Sequence, residues 1–168
     1  MSYTMYPYDG VGNIPDAVFH CFWDAMAEQG LDKLVFYSGY IKDSYQFTLF
    51  IKTQTVPTIF VDGDTQRPVA MAWLSDAMDG RALGHFCILD EGRQYKLEMG
   101  GEVLRYWIKD LGVNTVLGII PSFNKPAIKY IDDLGFVILG EIPDMVKHNG
   151  EPSPAFMGYY SREELDDG

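Results

Sequence analysis

Residues 124–136 read NKPAIKYIDDLGF and follow directly after the apolar run from Thr115 to Ile120. Asn124 is a good helix N-cap, and glycine, here Gly135, commonly ends a helix. The unbroken apolar run before them predicts a buried strand. The stretch therefore predicts a strand, a short helix and, from Phe136 to Leu139, a further strand. Taken singly, each residue has a structural explanation as a cap or a core residue, so the information lies in their joint spacing.

The sequence before this stretch predicts an antiparallel meander followed by a long helix. Three apolar runs are separated by Asp-Gly turn signals, and they span Thr58 to Val61, Val69 to Leu74 and Leu83 to Leu89. Short apolar runs bounded by such turns are typical of hairpin-connected strands. Apolar residues then recur at helical spacing from about Lys96 to Asp110, and Gly112 provides a stop.

The two ends of the chain complete an α+β order. A helix is expected from about residue 14 to 29, a short strand from Leu34 to Tyr37, and a second helix from Asp43 or Ser44. Tyr45, Phe47 and Leu49 also alternate, so a strand is the alternative for that segment. A last strand from Ala155 to Tyr160 precedes an acidic tail. This order favours a mostly antiparallel sheet that contains one parallel pair.

Composition and charge narrow the classes of partner. The 168 residues suit one compact domain, and the formal charge of -11 without any Lys/Arg run disfavours nucleic acid. The acidity would suit a cationic partner, although many proteins are acidic for solubility alone. Cys21 and Cys87 lie in apolar segments and are expected to be reduced and buried, as in a cytoplasmic protein. No signal peptide or membrane-length apolar run is visible.

With these elements placed, residues 124–136 resemble the GNAT superfamily of N-acetyltransferases. The signature of that family is an Asn, an Ala three residues later and a Gly-Phe pair that closes the helix, and Asn124, Ala127, Gly135 and Phe136 match it. The resemblance is best supported over residues 67–143 and implies a single GNAT-like acyltransferase domain over residues 1–168. The implied fold is α+β, with a mixed central sheet flanked by helices and a splayed parallel strand pair.

The resemblance implies acetyl-CoA as co-substrate, with its pyrophosphate at a Gln/Arg-x-x-Gly-x-Gly/Ala turn before the long helix. Gly100 falls on the second glycine position, whereas Glu98 and Tyr95 depart from the pattern, and a carboxylate beside a pyrophosphate is electrostatically unfavourable. Lys96 and Arg93 either compensate by contacting phosphates or are solvated surface charges. The expected cofactor-binding residues are Ile88, Leu89, Asp90, Tyr95, Lys96, Leu97, Glu98, Met99, Gly100, Gly101, Asn124, Ala127 and Ile131.

The family's reaction is direct attack of an amine on the thioester within a ternary complex. A backbone N–H between Ile88 and Asp90 is expected to polarise the thioester carbonyl. The base that deprotonates the amine is sought among His85, Asp90 and Glu91. His85 alternates with core positions of its strand, so a hydrogen-bonded core histidine is the alternative for it.

The acid that protonates the departing thiolate is missing from its usual place. Many family members carry a Tyr four residues before the Gly of the Gly-Phe pair, and Ile131 occupies that position here. Tyr130 is adjacent but turned by about 100° on the helix. A thiol of pKa ~8.5 leaves without assistance, so the reaction would be slowed rather than forbidden.

Two functions stay open at this level. The first is acetyl transfer from acetyl-CoA to a primary amine of a small molecule or protein, by a cytoplasmic enzyme that binds neither nucleic acid nor membrane. The second is a catalytically inactive GNAT-like binding or assembly module, because Glu98 and Ile131 both depart from the pattern. The identity of the acceptor and the oligomeric state stay open, with a homodimer as one option.

Overall fold

A computed structural model describes residues 2–168 as a seven-stranded sheet flanked by helices. The strands are β1 (Tyr3–Pro7), β2 (Val56–Asp62), β3 (Pro68–Met78), β4 (Arg81–Ile88), β5 (Thr115–Pro121), β6 (Val137–His148) and β7 (Glu151–Ser161). Their order in the sheet is β1-β2-β3-β4-β5-β7-β6. Only the β4–β5 pair in this described sheet is parallel. The expected α+β fold, with one parallel pair in a mostly antiparallel sheet, is confirmed.

The four helices expected from the sequence are present, and the structure adds two short helices and a 3-10 helix. They are α1 (Asp16–Glu28), α2 (Asp32–Val35), α3 (Ser44–Gln54), α4 (Lys96–Lys109), α5 (Lys125–Asp133) and α6 (Arg162–Asp167), with a 3-10 helix at Asp90–Tyr95. The strand predicted from Leu34 to Tyr37 is wrong. That segment begins with α2, because the amides of Leu34 and Val35 both donate to the Leu31 carbonyl. An apolar run this short does not distinguish a strand from a single helical turn.

The helix starts follow local capping chemistry. The Asp43 carboxylate accepts a hydrogen bond from the Gln46 amide at 2.8 Å, so α3 begins as a helix and the alternating-strand alternative is excluded. The Asn124 side chain likewise accepts from the Ala127 amide at 3.3 Å at the start of α5. The expected acidic tail forms α6, which Ser161 and Glu164 begin with a reciprocal capping box.

Two hydrophobic cores lie on opposite faces of the sheet. On one face Met71 and Trp73 of β3 and Cys87 of β4 pack with α1 and α3. On the other face Ala72 of β3 and Ala82 of β4 pack with α4 and α5. Residues alternate between faces along a strand, so neighbouring residues of β4 face different helices. β3 and β4 are therefore buried on both faces of the sheet.

Three strands, β3, β6 and β7, extend well beyond the expected boundaries, and β1 was not predicted. β6 and β7 are longer than the predicted runs at Phe136–Leu139 and Ala155–Tyr160, and they form a long hairpin. Polar residues extend β6 beyond its apolar part, so hydrophobicity alone ends the prediction too early. β1 pairs antiparallel with β2 from Tyr3 opposite Asp62 to Pro7 opposite Thr58. Its strand state depends on that distant partner rather than on a local pattern.

Candidate active site

β4 and β5 separate shortly after they begin, as the resemblance implied. They pair only at Arg81–Thr115, Ala82–Val116 and Leu83–Leu117, although β4 continues to Ile88 and β5 to Pro121. The parallel ladder therefore ends at Leu83 and Leu117, and the remaining strand lengths diverge. The edges of both strands that face the gap are no longer paired with each other.

A cavity of about 530 Å³ occupies this gap and passes from one face of the sheet to the other. The α2–α3 segment contributes Phe36, Tyr37 and Tyr40 on one side, and α5 contributes Ala127 and Ile131 on the other. The strands supply the wall between them, through Trp73, Ser75, Asp76, Gly84, His85, Phe86, Gly118 and Ile120. A space of this size is typical of a small-molecule site, and its lining residues come from both faces of the sheet.

The amides of β4 alternate between β3 and the gap. The Leu89 amide donates to the Val69 carbonyl of β3 at 3.0 Å, and residues of the same parity along β4 face β3 likewise. The amides of Gly84, Phe86 and Ile88 consequently point toward β5, and the last two lie beyond the paired part. An N–H group there meets no partner strand, and Phe86 also lines the cavity.

This pattern separates the three positions expected to polarise a carbonyl. The Leu89 amide is engaged by β3, and the Asp90 amide donates to Gln29 Oε1 at 2.8 Å. Of the predicted positions, Ile88 alone has an amide directed at the gap. The amide of Phe86 was not predicted, and it is deeper in the cavity wall. The alternation of strand amides could have identified it, had the β3 register been known.

His85 lies on the α1–α3 face of β4 and lines the cavity. Its ring stacks on Trp73 of β3, with centroids 5.3 Å apart and planes inclined by 11°. Nε2 lies 2.9 Å from Ser75 Oγ. Burial lowers the pKa of His85 to about 4, and the nearby Asp76 charge opposes that shift. The imidazole is therefore neutral at neutral pH, and one of its two ring nitrogens carries a lone pair.

The other two candidate bases lie away from the cavity. Asp90 and Glu91 are exposed in the 3-10 helix that follows β4. The Asp90 carboxylate pairs with Arg93 at 2.7 Å, and Glu91 accepts a hydrogen bond from Gln29 Nε2 at 3.1 Å. Neither residue lines the cavity. The sequence placed both just after the correct strand, but that strand carries them past the gap.

The segment expected to bind pyrophosphate is helical throughout. A 3-10 helix runs directly into α4, and the amide of Lys96 is bonded to the Arg93 carbonyl rather than left open. Leu97 and Glu98 are exposed, whereas Met99 is buried in the core. The side chain of Tyr95 packs against Tyr3, with ring centroids 5.6 Å apart. Gly100 packs against α5, and a Cβ at Gly101 would meet nothing within 4 Å.

α5 brings three of the expected residues to the cavity. Asn124, Ala127 and Ile131 all line it, and their binding of acetyl-CoA stays a prediction. Tyr130 lines it as well, but its hydroxyl donates to the Lys96 carbonyl at 2.8 Å. Burial raises the pKa of Tyr130 well above its ordinary value. That hydroxyl is therefore held by α4 and is poorly placed to act as an acid.

Several cavity residues were not singled out by the sequence. Ser75, Asp76 and Tyr37 come from β3 and from the loop after α2, whose sequences carry no motif. Only the pairing of β3 with β4 shows that Ser75 reaches His85. Within residues 2–168, no group of three or more His, Cys, Asp or Glu side chains could hold a metal ion. No helix in that range is long and apolar enough to cross a membrane.

Comparison with known proteins shows similarity of fold without similarity of sequence. No protein-family model matches the chain, and no curated protein sequence matches it. Ribosomal-protein-S5-alanine acetyltransferase from Vibrio fischeri superposes with a TM-score of 0.75 at 10% identity, over 97% of this chain and 94% of that one. A chimera of spermidine N-acetyltransferase SpeG from Vibrio cholerae gives 0.73 at 10% identity, over 100% of both chains.

A third solved structure agrees with these two. A protein of Vibrio cholerae that is assigned, without proof of activity, as a ribosomal-protein-serine acetyltransferase superposes with a TM-score of 0.68 at 13% identity. The match covers 88% of this chain and 90% of that one. The splayed β4–β5 pair, the Asn124–Phe136 helix signature and these superpositions all agree. The chain therefore has the fold of the GNAT superfamily of acetyltransferases.

Proposed function

We propose that this protein is an enzyme that transfers an acetyl group from acetyl-CoA to a primary amine. The observation that carries the proposal is the cavity between β4 and β5, which joins the two faces of the sheet and is lined by His85. A thioester that enters from the α4–α5 face of the sheet and an amine that enters from the α1–α3 face would meet inside the cavity. Direct attack in a ternary complex needs this two-sided access.

The unpaired edge of β4 supports carbonyl activation. As the amine nitrogen attacks, negative charge develops on the thioester oxygen, and a fixed N–H group stabilises it. The Phe86 amide is the proposed donor, with Ile88 as the next amide along the same edge. The carbon–sulfur bond then breaks, the acetyl group stays on the nitrogen, and CoA leaves as a thiolate.

His85 is the proposed base. An amine must lose a proton to attack, and the neutral imidazole can accept one. Among the described residues that line the cavity, Asp76 is the acidic one, and no Lys or Arg is present. A cationic amine would therefore meet a favourable charge at this entrance and no repelling one. Asp90 and Glu91 stay secondary candidates, since they would need water to connect them to the cavity.

The entrance beside α5 is the proposed site of the pantetheine arm. Asn124, Ala127 and Ile131 line it with largely apolar surface, which suits that arm. The pyrophosphate would lie near the start of α4, where Lys96 and Arg93 supply positive charge. Within the expected segment, the exposed positions Leu97 and Glu98 and the half-buried Gly101, where a Cβ would meet nothing within 4 Å, are the ones open to a ligand.

A second function is favoured by the conformation of that same segment. The 3-10 helix before α4 replaces an open phosphate turn, and Glu98 and Glu102 place negative charge near it. A GNAT fold that binds no acetyl-CoA and acts as a binding or assembly module would have this feature. Acetyl-CoA binding separates the two functions, because only the enzyme requires it.

Calorimetry with acetyl-CoA, followed by an assay of CoA release, tests the proposal. The solved neighbours are named as acetyltransferases of spermidine and of ribosomal-protein-S5 alanine, so spermidine and an alanine-containing peptide are suitable acceptors. We expect acetyl-CoA to bind and to raise the melting temperature. At 100 times its Kd, the ligand adds about 2.7 kcal/mol to the free energy of unfolding. Absence of binding at millimolar acetyl-CoA would exclude the enzyme and favour the module.

A further inference from the structure

Three side chains on the α1–α3 face of the sheet form a hydrogen-bonded row, which runs from Asp76 through Ser75 to the proposed base His85. Ser75 Oγ donates to Asp76 Oδ2 at 2.8 Å and lies 2.9 Å from His85 Nε2. Ser75 is the last regularly paired residue of β3 before the β3–β4 register breaks, and Asp76 follows with φ of 51°. All three line the cavity. The backbone irregularity turns the Asp76 carboxylate back toward its own neighbour.

Proton counting fixes the direction of these hydrogen bonds. A carboxylate can only accept, so the single hydroxyl proton of Ser75 is committed to Asp76. The Ser75 oxygen must then accept from His85, which requires the proton of the neutral imidazole to be on Nε2. The lone pair is consequently on Nδ1. Trp73 stacks flat on the same ring and fixes its plane, so the ring cannot turn without losing that contact.

We propose that Ser75 and Asp76 are positioning residues for acetyl transfer, holding His85 in the Nε2–H tautomer so that Nδ1 accepts the proton of the acceptor amine. This inference rests on the proposed function. The amine nitrogen gives one proton to Nδ1 and its electron pair to the thioester carbon. The imidazolium that forms donates its Nε2 proton to Ser75, which still donates to Asp76. The carbon–sulfur bond breaks, the acylated nitrogen gives its remaining extra proton to the departing thiolate, and Nδ1 releases its proton to water, so that a cationic amine yields the amide, CoA thiol and one proton.

The charge of Asp76 acts on the protonation of His85. Burial disfavours the imidazolium, and the Asp76 charge is the interaction that favours it. The other titratable groups that line the cavity are Tyr37 and Tyr40 from the segment after α2 and Tyr130 from α5. Phenols are uncharged near neutral pH, and burial raises the pKa of Tyr37 and Tyr130 further. Asp76 is therefore the group that distinguishes this imidazole from a plain core histidine.

Nitrogen NMR of the ¹⁵N-labelled full chain tests the tautomer without any ligand. We expect the parent and Ser75→Thr, which keeps the hydroxyl, to show the Nε2–H form. Asp76→Gly removes the carboxylate while tolerating the positive φ, so Ser75 becomes free to donate to His85 and the tautomers mix. Asp79→Gly is the matched control, because Asp79 has φ of 53° in the same hairpin and carries the same charge.

The NMR spectra decide whether Ser75 and Asp76 set the tautomer of His85. The inference is overturned if His85 of the parent protein is in the Nδ1–H tautomer. It is also overturned if the Asp76→Gly spectrum is identical to that of the parent. Mixing of tautomers in Asp76→Gly and in Ser75→Ala, with Asp79→Gly unchanged, supports it. Because glycine suits both positive-φ sites, loss of folding is not expected to obscure the comparison.

Acetyl transfer to spermidine provides the second arm. We expect kcat to fall about tenfold or more in Ser75→Ala and Asp76→Gly, with KM for acetyl-CoA little changed and activity recovered in Ser75→Thr. The acid limb of the pH profile should move to lower pH in Asp76→Gly, since the charge that favours imidazolium is gone. An active parent whose Asp76→Gly variant keeps kcat and pH profile overturns the positioning role alone. A parent with the expected tautomer that acetylates no amine overturns the proposed function instead.

Discussion

Gly100 of α4 lies directly against Tyr130 of α5. A Cβ at Gly100 would collide with the Tyr130 hydroxyl and would come within 2.6 Å of a Leu134 methyl group. The same hydroxyl donates to the Lys96 carbonyl one turn earlier in α4, at 2.8 Å. The two helices beside the cavity are thus joined by a close approach that requires glycine. This packing gives Gly100 a structural role, whereas its role at a pyrophosphate stays a prediction.

Alanine substitutions at two adjacent glycines of α4 test that packing. Gly100→Ala should destabilise the fold by about 1–3 kcal/mol, because the added methyl group overpacks the α4–α5 contact. Gly101→Ala should stabilise it by up to about 1 kcal/mol, because a Cβ there meets nothing and alanine favours the helix. Urea unfolding measures both. Equal stability of the two variants would contradict the α4–α5 contact.

The two cysteines should differ sharply in reactivity. Cys21 is exposed on α1, so the expectation of a buried thiol is wrong for it, whereas Cys87 is buried in β4, where burial raises the pKa of its thiol to about 12. Because the thiolate is the reactive form, we expect a thiol reagent to label one cysteine in the native protein and two in denaturant. The folded Cys21→Ser variant should then take up no label, because its remaining thiol, Cys87, is buried. Rapid labelling of that variant would show that Cys87 is accessible.

The low pKa of His85 predicts a loss of stability in acid. The unfolded chain binds a proton near pH 6.5, whereas the folded chain does so only near pH 4. Between these values the unfolded state holds more protons, so stability falls as the pH falls, by at most about 1.4 kcal/mol per pH unit. Above pH 6.5 the contribution is fully present. Compared with His85→Phe, the parent should lose stability in this window, and parallel pH curves would contradict the burial of the imidazole.

Replacing His85 also tests its proposed role as base. His85→Ala should lower turnover by about 10²-fold with little effect on acetyl-CoA affinity, because the ring lies on the acceptor side of the sheet. Kinetics and calorimetry on the same variant separate these effects. If turnover is kept while stability falls, His85 is the hydrogen-bonded core histidine that was the alternative from the sequence.

Local signals in the sequence predicted the elements that carry their own caps and turns. Asn124 and Gly135 mark α5, and the Asp-Gly pairs mark the turns of the meander, because each depends only on neighbouring residues. The splay of β4 from β5 came from the family resemblance. By contrast, the Ser75–His85 contact depends on the register between β3 and β4, and the packing of Gly100 depends on α5. Long-range pairing of this kind leaves no pattern in a short window of sequence.

Gly118 of β5 lies on the proposed route of acetyl-CoA through the sheet. A Cβ at Gly118 would meet Phe136 at 3.6 Å and Ile131 at 3.7 Å, which are ordinary contact distances, and the residue lines the cavity. Gly118→Ala should therefore fold and bind acetyl-CoA almost as the parent does. Gly118→Leu adds three further carbon atoms that extend into the cavity.

We expect Gly118→Leu to weaken acetyl-CoA binding at least tenfold, equivalent to about 1.4 kcal/mol, because a larger side chain occupies space needed by the pantetheine arm. Calorimetry on the parent and both variants measures the size dependence, and circular dichroism verifies that each is folded. If Gly118→Leu binds acetyl-CoA as tightly as Gly118→Ala, the ligand does not pass between β4 and β5. The cavity at the splay would then serve the acceptor amine alone, and the thioester would have to reach His85 by another path.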